Sequence, residues 1–205
     1  MFPANISVEE IEELQLKAFE GPVSVIDARD DDFADAVEYL SRQPVIGFDT
    51  ETKPCFTHEG PRNTEALLQL SGSDKSFIFR LHHIGLPKEI TKLLSNPEIV
   101  KVGAAVKDDI RGLQEFRRFN PRGFVDLQKM AEEYGIADKS VRKMSAIILG
   151  FKVSKAQQLS NWEAARLSGA QIKYAATDAW VCRLMYDKLL TCEKHPLKKP
   201  ASDTQ

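Results

Sequence analysis

The chain is poor in the residues that build thiolate metal sites and disulfide frameworks. Its three cysteines, Cys55, Cys182 and Cys192, are odd in number and show no Cys-x-x-Cys spacing. That pattern excludes a zinc ribbon or a disulfide scaffold and fits a reducing compartment. The four histidines, His58, His82, His83 and His195, form neither a His-Glu-x-x-His pattern nor a Cys/His cluster, so none is assigned a role. No apolar run reaches the roughly 18 residues of a membrane span, and no basic start precedes an apolar core. Neither a membrane partner nor a secretory signal is expected, and a cytoplasmic location is. Internal repeats and low-complexity blocks are absent as well.

What is present suits a single globular domain. The 205 residues are 42% hydrophobic and 28% charged, enough for one well-buried core. That domain is expected over residues 1–192, with 193–205 as a polar, Pro-containing, flexible tail. The formal net charge of -2 conceals an uneven distribution: residues 1–60 hold 4 Lys/Arg against 14 Asp/Glu, and residues 101–175 hold 14 against 8. A basic second half suits either phosphate binding or a set of solvated helix faces.

Periodicity places the elements. A helix is expected from Ser7 to Phe19, with a cap-like serine and glutamates in the first turn. Val23–Asp27 reads as a strand, Asp31–Gln43 as an amphipathic helix and VIGFDTE, from Val45, as the next strand. ALLQLSG and SFIFRL, divided by Ser71 to Lys75, form a hairpin, and PKEITKLLSN a helix opened by Pro87. IVKVGAA resumes a strand and runs into the helix VKDDIRGLQEF. The remainder, VDLQKMAEEYG, SVRKMSAIILG and the segment from Ser168 to about Leu190, is expected to be helical. Early strands and late helices predict a mixed α/β sheet covered by helices.

Three places carry candidate chemistry. Asp49 and Glu51 are two apart on a strand and project to the same side; they are either surface acids at a strand end or a pair needing positive charge between them. Asp108 and Asp109 follow a strand, where ligands collect in open α/β sheets, although a helix dipole also accounts for one acid there. Tyr174 and Asp178 share a helix face among Ile172, Ala175, Ala176 and Ala179, as a possible hydrogen-bonded pair or as part of a site. Together these are hard oxygen donors without His or Cys, a set that selects magnesium or manganese.

Asp49-x-Glu51, the acid after IVKVGAAVKDD and Tyr174-x-x-x-Asp178, in this order, resemble the three motifs of the DEDDy 3′–5′ exonucleases, the group that contains ribonuclease D and the Werner-type exonuclease domain. The resemblance runs from about Val45 to Leu190. ALLQLSG with Gln69, FVDLQKMA with Asp126, and KAQQLSNWE with Lys155, Ser160 and Trp162 lie between the motifs and match as well. It implies a ribonuclease H-like fold and a nucleic-acid substrate. It also implies two divalent cations, Mg²⁺ or Mn²⁺, held by Asp49, Glu51, Asp109 and Asp178. Counting six positions from Lys-Val-Gly selects Asp109 over Asp108.

On that resemblance Tyr174 orients the attacking water. With an ordinary pKa near 10 it is a poor base at neutral pH. Gln69, Lys155, Ser160 and Trp162 are candidate nucleic-acid contacts, Trp162 being alternatively a core anchor, and Lys152, Arg142 and Lys143 are further candidate phosphate ligands. Removal of nucleoside 5′-monophosphates from a single-stranded or frayed 3′ end is the activity implied. The alternatives are an inactive nucleic-acid-binding module on the same fold and an α/β scaffold with incidental surface acids. DNA and RNA are not distinguished.

Overall fold

The computed structural model describes residues 1–54 and 63–197; Cys55 and His58 lie outside the described residues. In chain order the elements are α1 (Val8–Glu13), β1 (Val23–Ile26), α2 (Asp31–Ser41), β2 (Val45–Thr52), β3 (Glu65–Ser71), β4 (Ser76–Arg80) and α3 (Leu81–Ile84). They continue with α4 (Lys88–Leu94), β5 (Val100–Gly103), α5 (Val106–Phe116), β6 (Phe124–Asp126), α6 (Leu127–Glu132), α7 (Val141–Leu149) and α8 (Gly169–Leu190). The strands form one six-stranded mixed sheet in the order β1-β4-β3-β2-β5-β6. The expected mixed sheet flanked by helices is therefore the observed architecture.

Strand β2 is internal, antiparallel to β3 and parallel to β5. Its alternation sends Ile46 and Phe48 into a core shared with Phe33, Leu40, Ile90 and Leu113 from α2, α4 and α5. The other face of the sheet carries α8. Its 22 residues start from a capping box in which Ser168 Oγ accepts from Gln171 N and Gln171 Oε1 accepts from Ser168 N, satisfying two end groups of the backbone reciprocally. Ala175, Ala176 and Ala179 are fully buried, and their small side chains let the helix backbone come close to the strands. The approach is close at Gly47, where an added Cβ would sit 1.8 Å from the Ala179 carbonyl oxygen. Gly47 thus sets the separation between β2 and α8.

Two expected elements differ. The N-terminal helix stops at Glu13 rather than Phe19, because Leu14 is extended (φ -75, ψ 151) and the chain pairs with residue 152 instead. Lys17 N donates to Lys152 O at 2.9 Å and Lys152 N to Gln15 O at 3.0 Å. Phe19 is then buried against Trp180, with ring centroids 5.9 Å apart. Here tertiary pairing overrides a helical propensity worth only tenths of a kcal/mol per residue, up to about 0.7. The second difference is β6, whose Val125 and Asp126 are expected to open a helix: Phe124–Asp126 pair in parallel with Lys101–Gly103, and helix begins only after Asp126, whose carboxylate accepts from Gln128 N at 3.0 Å.

Residues 193–197 of the expected flexible tail are held, since Leu197 N donates to Glu132 O at 3.1 Å and Lys194 pairs with Glu133; residues 198–205 lie outside the described part. Among the described residues no helix is long and apolar enough to cross a membrane, and Cys182 and Cys192 are free thiols.

Because a Cβ at residue 47 has no room, Gly47→Ala is expected to lower stability in chemical denaturation by about 1–3 kcal/mol, as overpacking does. Unchanged stability would show that α8 retreats without penalty.

Candidate active site

Gly47, Asp49 and Glu51 lie on the α8 side of β2, while Thr50 points through to α5. The consequence is a cluster: carboxylate oxygens of Asp49, Glu51 and Asp178 all lie within 4.8 Å of one another. Asp178 is 9% exposed, and Asp49 and Glu51 are half-buried, so the incidental-surface reading of the pair does not hold. No ion pair reaches any of the three among the described residues. They line a cavity of about 330 Å³ together with Tyr174, Lys155 and Arg142.

Crowding without a cation pushes protons onto these groups. Asp49 is raised well above the ordinary carboxyl range by burial, then by the charges of Asp178, Glu51 and Asp109. Glu51 rises to about 9, again chiefly by burial and then by Asp178 and Asp109. Burial takes Asp178 to about 7, offset in part by a hydrogen bond from the Tyr174 hydroxyl. That hydroxyl is itself held far above the usual phenol range by burial and by the surrounding acids. Such a set supplies three hard oxygen ligands to a divalent ion and is unfavourable without one.

Asp109 stands outside the three-acid cluster. It sits in the first turn of α5 and accepts from Thr50 Oγ1 at 2.8 Å. Burial raises it to about 6, and that hydrogen bond opposes the rise. Its neighbour Asp108 is turned to solvent and pairs with Arg111 at 3.0 Å. The preceding residue pair is also shaped. Ala105 adopts a left-handed conformation (φ 58, ψ 32) that ordinarily costs a non-glycine residue about 1–2 kcal/mol, and its N–H donates to Asp126 Oδ1 at 3.1 Å. One carboxylate thereby fixes both the entry to α5 and the start of α6. Thr50 and Asp126 are positioning groups that sequence reading did not assign; the middle residue of Asp-x-Glu, facing the opposite side of the strand, was the available signal for Thr50.

Most of the expected nucleic-acid contacts are instead structural. Gln69 is fully buried, opposite Asp49 in the β2–β3 register, with its amide unpartnered among the described residues; it presents no surface to a strand. Trp162 is likewise fully buried, packed with Leu67, Ile78 and Ala175 and 5.8 Å from the Tyr174 ring, which makes it the core anchor. Its Nε1 makes no hydrogen bond of good geometry yet faces Glu51 closely enough to oppose the rise in that residue's pKa. Ser160 Oγ is taken up by Gln171 Nε2 at 2.9 Å and Gln157 Oε1 at 3.1 Å.

The loop carrying these residues is pinned by Arg80, whose guanidinium donates to the carbonyls of Ala164 and Ala165. Lys152 and Arg142 both pair with Glu12, and Lys143 pairs with Asp138, so these three cations already have protein partners. Lys155 is exposed and lines the acid cavity.

An internal strand that aims an Asp-x-Glu pair at a helix bearing Tyr-x-x-x-Asp is the arrangement of a 3′–5′ exonuclease domain. The chain belongs to that family: residues 25–192 match the 3′-5′ exonuclease family. It is 32% identical over 172 residues to a ribonuclease D from Gluconacetobacter diazotrophicus, covering 82% of this chain and 43% of that protein. It is 34% identical over 149 residues to the exonuclease 3′-5′ domain-containing protein 2 of Drosophila melanogaster, covering 71% and 25%. The chain therefore spans less than half the length of these curated relatives. The crystal structure of the Aedes aegypti Nibbler EXO domain superposes with a TM-score of 0.72 at 25% identity, covering 86% of this chain and 91% of that one.

The raised carboxyls fix the sign of a pH effect. Between the ordinary carboxyl range and about 7 for Asp178, or about 9 for Glu51, the folded chain holds protons that the unfolded chain has released. Rising pH through that window therefore removes stability. In EDTA the melting temperature is expected to fall from about pH 6 to about pH 9 more steeply than in Asp49→Asn. Adding Mn²⁺ should raise it most at the high end, where fewer protons compete. Equal slopes in parent and variant would contradict the crowding.

Proposed function

We propose that this domain is a metal-dependent 3′–5′ exonuclease that hydrolyses the terminal phosphodiester of a single-stranded or frayed nucleic-acid end and releases nucleoside 5′-monophosphates. The observation that carries the reading is the cluster of Asp49, Glu51 and Asp178, three oxygen donors within 4.8 Å of one another and without an ion-pair partner among the described residues. Asp49, Glu51 and Asp178 would hold one divalent cation, Mg²⁺ or Mn²⁺, and Asp109, reached across Thr50, would join Asp49 in holding a second. Such ions, when bound, lower the pKa of a water and support the leaving 3′ oxygen.

The chain's own residues supply placement. The Tyr174 phenol, pushed far above its usual range, stays protonated at neutral pH, so it serves as a hydrogen-bonding post for the attacking water and not as the base. Its orientation is fixed from two sides, by the Asp178 carboxylate and by the Trp162 ring. Lys155, on the rim of the same cavity, suits a backbone phosphate. The full set of four acids also weighs against an inactive binding module, because retaining crowded carboxylates with no ion to hold is costly.

Asp49→Ala is expected to abolish Mg²⁺- or Mn²⁺-dependent shortening of a 5′-labelled single strand or 3′ overhang while leaving the melting temperature in EDTA undiminished, since the change relieves repulsion. Tyr174→Phe should lower kcat by about a hundredfold, the scale of a misplaced reactant, with Mn²⁺ affinity retained. Shortening at the parental rate by Asp49→Ala would refute the proposal.

A further inference from the structure

A second, larger cavity of about 810 Å³ lies against α8. It shares Ser154, Tyr174 and Asp178 with the acid cavity, so the two adjoin at the proposed catalytic residues. Residues 154–158 divide them. Lys155 and Gln158 face the acids, whereas Ala156 and Gln157 face the larger space. The far wall is the extended segment Gln15–Glu20, which precedes the family match at residue 25. The same backbone pairing that cuts the N-terminal helix short thus encloses this space.

Its lining is mixed in a specific way. Phe151 and Trp180 stack at 6.1 Å with a 22° interplanar angle, and Leu184 extends this apolar floor. At the rim Lys17 lies over Phe151, 5.1 Å from the ring centroid, and Lys173 is exposed with no ion-pair partner among the described residues. Glu20 is the only acid besides Asp178 among the lining residues. Leu16, also lining the space, is 58% exposed, an apolar side chain presented to whatever enters. Flat aromatic bodies with attached phosphates match an apolar aromatic floor with cations at the rim.

We propose that this cavity is a second nucleotide site, taking a base and phosphate of the substrate strand away from its reacting end. The assignment of a strand rests on the exonuclease reading and on the two cavities lying side by side at Ser154, Tyr174 and Asp178. The N-terminal segment is then part of the binding surface.

The test is binding in EDTA, which separates it from catalysis. A fluorescein-labelled single-stranded oligonucleotide, as DNA and as RNA, is titrated with the full chain by anisotropy. A nucleoside 5′-monophosphate is titrated in parallel by tryptophan fluorescence. The double variant Lys17→Glu, Lys173→Glu is expected to weaken oligonucleotide binding about tenfold, the effect of losing phosphate contacts, with its melting temperature and its Mn²⁺-induced stabilisation unchanged. Leu16→Asp, on the same wall, should weaken it in the same direction.

Parental oligonucleotide affinity in both variants overturns the site. A loss confined to the monophosphate overturns the assignment to the strand. A parent chain that shows the expected binding differences yet never shortens the oligonucleotide with Mn²⁺ supports the site and refutes the proposed catalytic reading instead.

Discussion

Everything at the site depends on how closely α8 can lie on β2. At Gly47 the helix backbone occupies the space of a side chain, and the buried alanines at 175, 176 and 179 permit the same intimacy along its length. Only at that separation does a carboxylate on a helix share a 4.8 Å neighbourhood with two on a strand. Among the described residues no cation pairs with these acids to relieve the repulsion. Packing energy distributed over the apolar faces of the sheet holds together charges that would separate if free, which is the ordinary way a folded scaffold maintains a locally unfavourable arrangement.

The surrounding groups divide into those that hold acids and those that hold the holders. Thr50 bonds Asp109, and Tyr174 bonds Asp178. Behind them, Trp162 supports Tyr174, Arg80 pins the Trp162 loop by two successive carbonyls, and Asp126 fixes the left-handed turn at Ala105 that launches α5. Each support comes from a different element, so the reactive geometry draws on three strands, the loop and α8 at once.

The sequence was informative where periodicity determines direction. Alternation along β2 placed Asp49 and Glu51 together, and a four-residue step placed Tyr174 with Asp178. It was uninformative where burial decides. Gln69, Ser160 and Trp162 are polar or aromatic residues in matching positions, yet two are fully buried and the third is bonded internally. Lys152, Arg142 and Lys143 read as free cations because their partners, Glu12 and Asp138, are identified only by folding. The early end of α1 and the three-residue β6 escaped for a related reason: both are set by pairing with distant chain.

Strand β2 is hydrogen-bonded to β5 along Val45–Gly47 and to β3 along Gly47–Thr52, and Ile46, Gly47 and Phe48 are buried. Freeing the backbone at Asp49 and Glu51 would have to break their pairing with Gln69 and Leu67 of the sheet interior, so this backbone belongs to the portion of the chain that opens only with the whole domain. The wall contributed by Gln15–Glu20 hangs on far fewer bonds, chiefly those to residue 152 and the one from Phe19 N to Thr177. Amide exchange would therefore rank the two sides of α8 very differently, a slow side carrying the acids and a fast side facing the larger cavity.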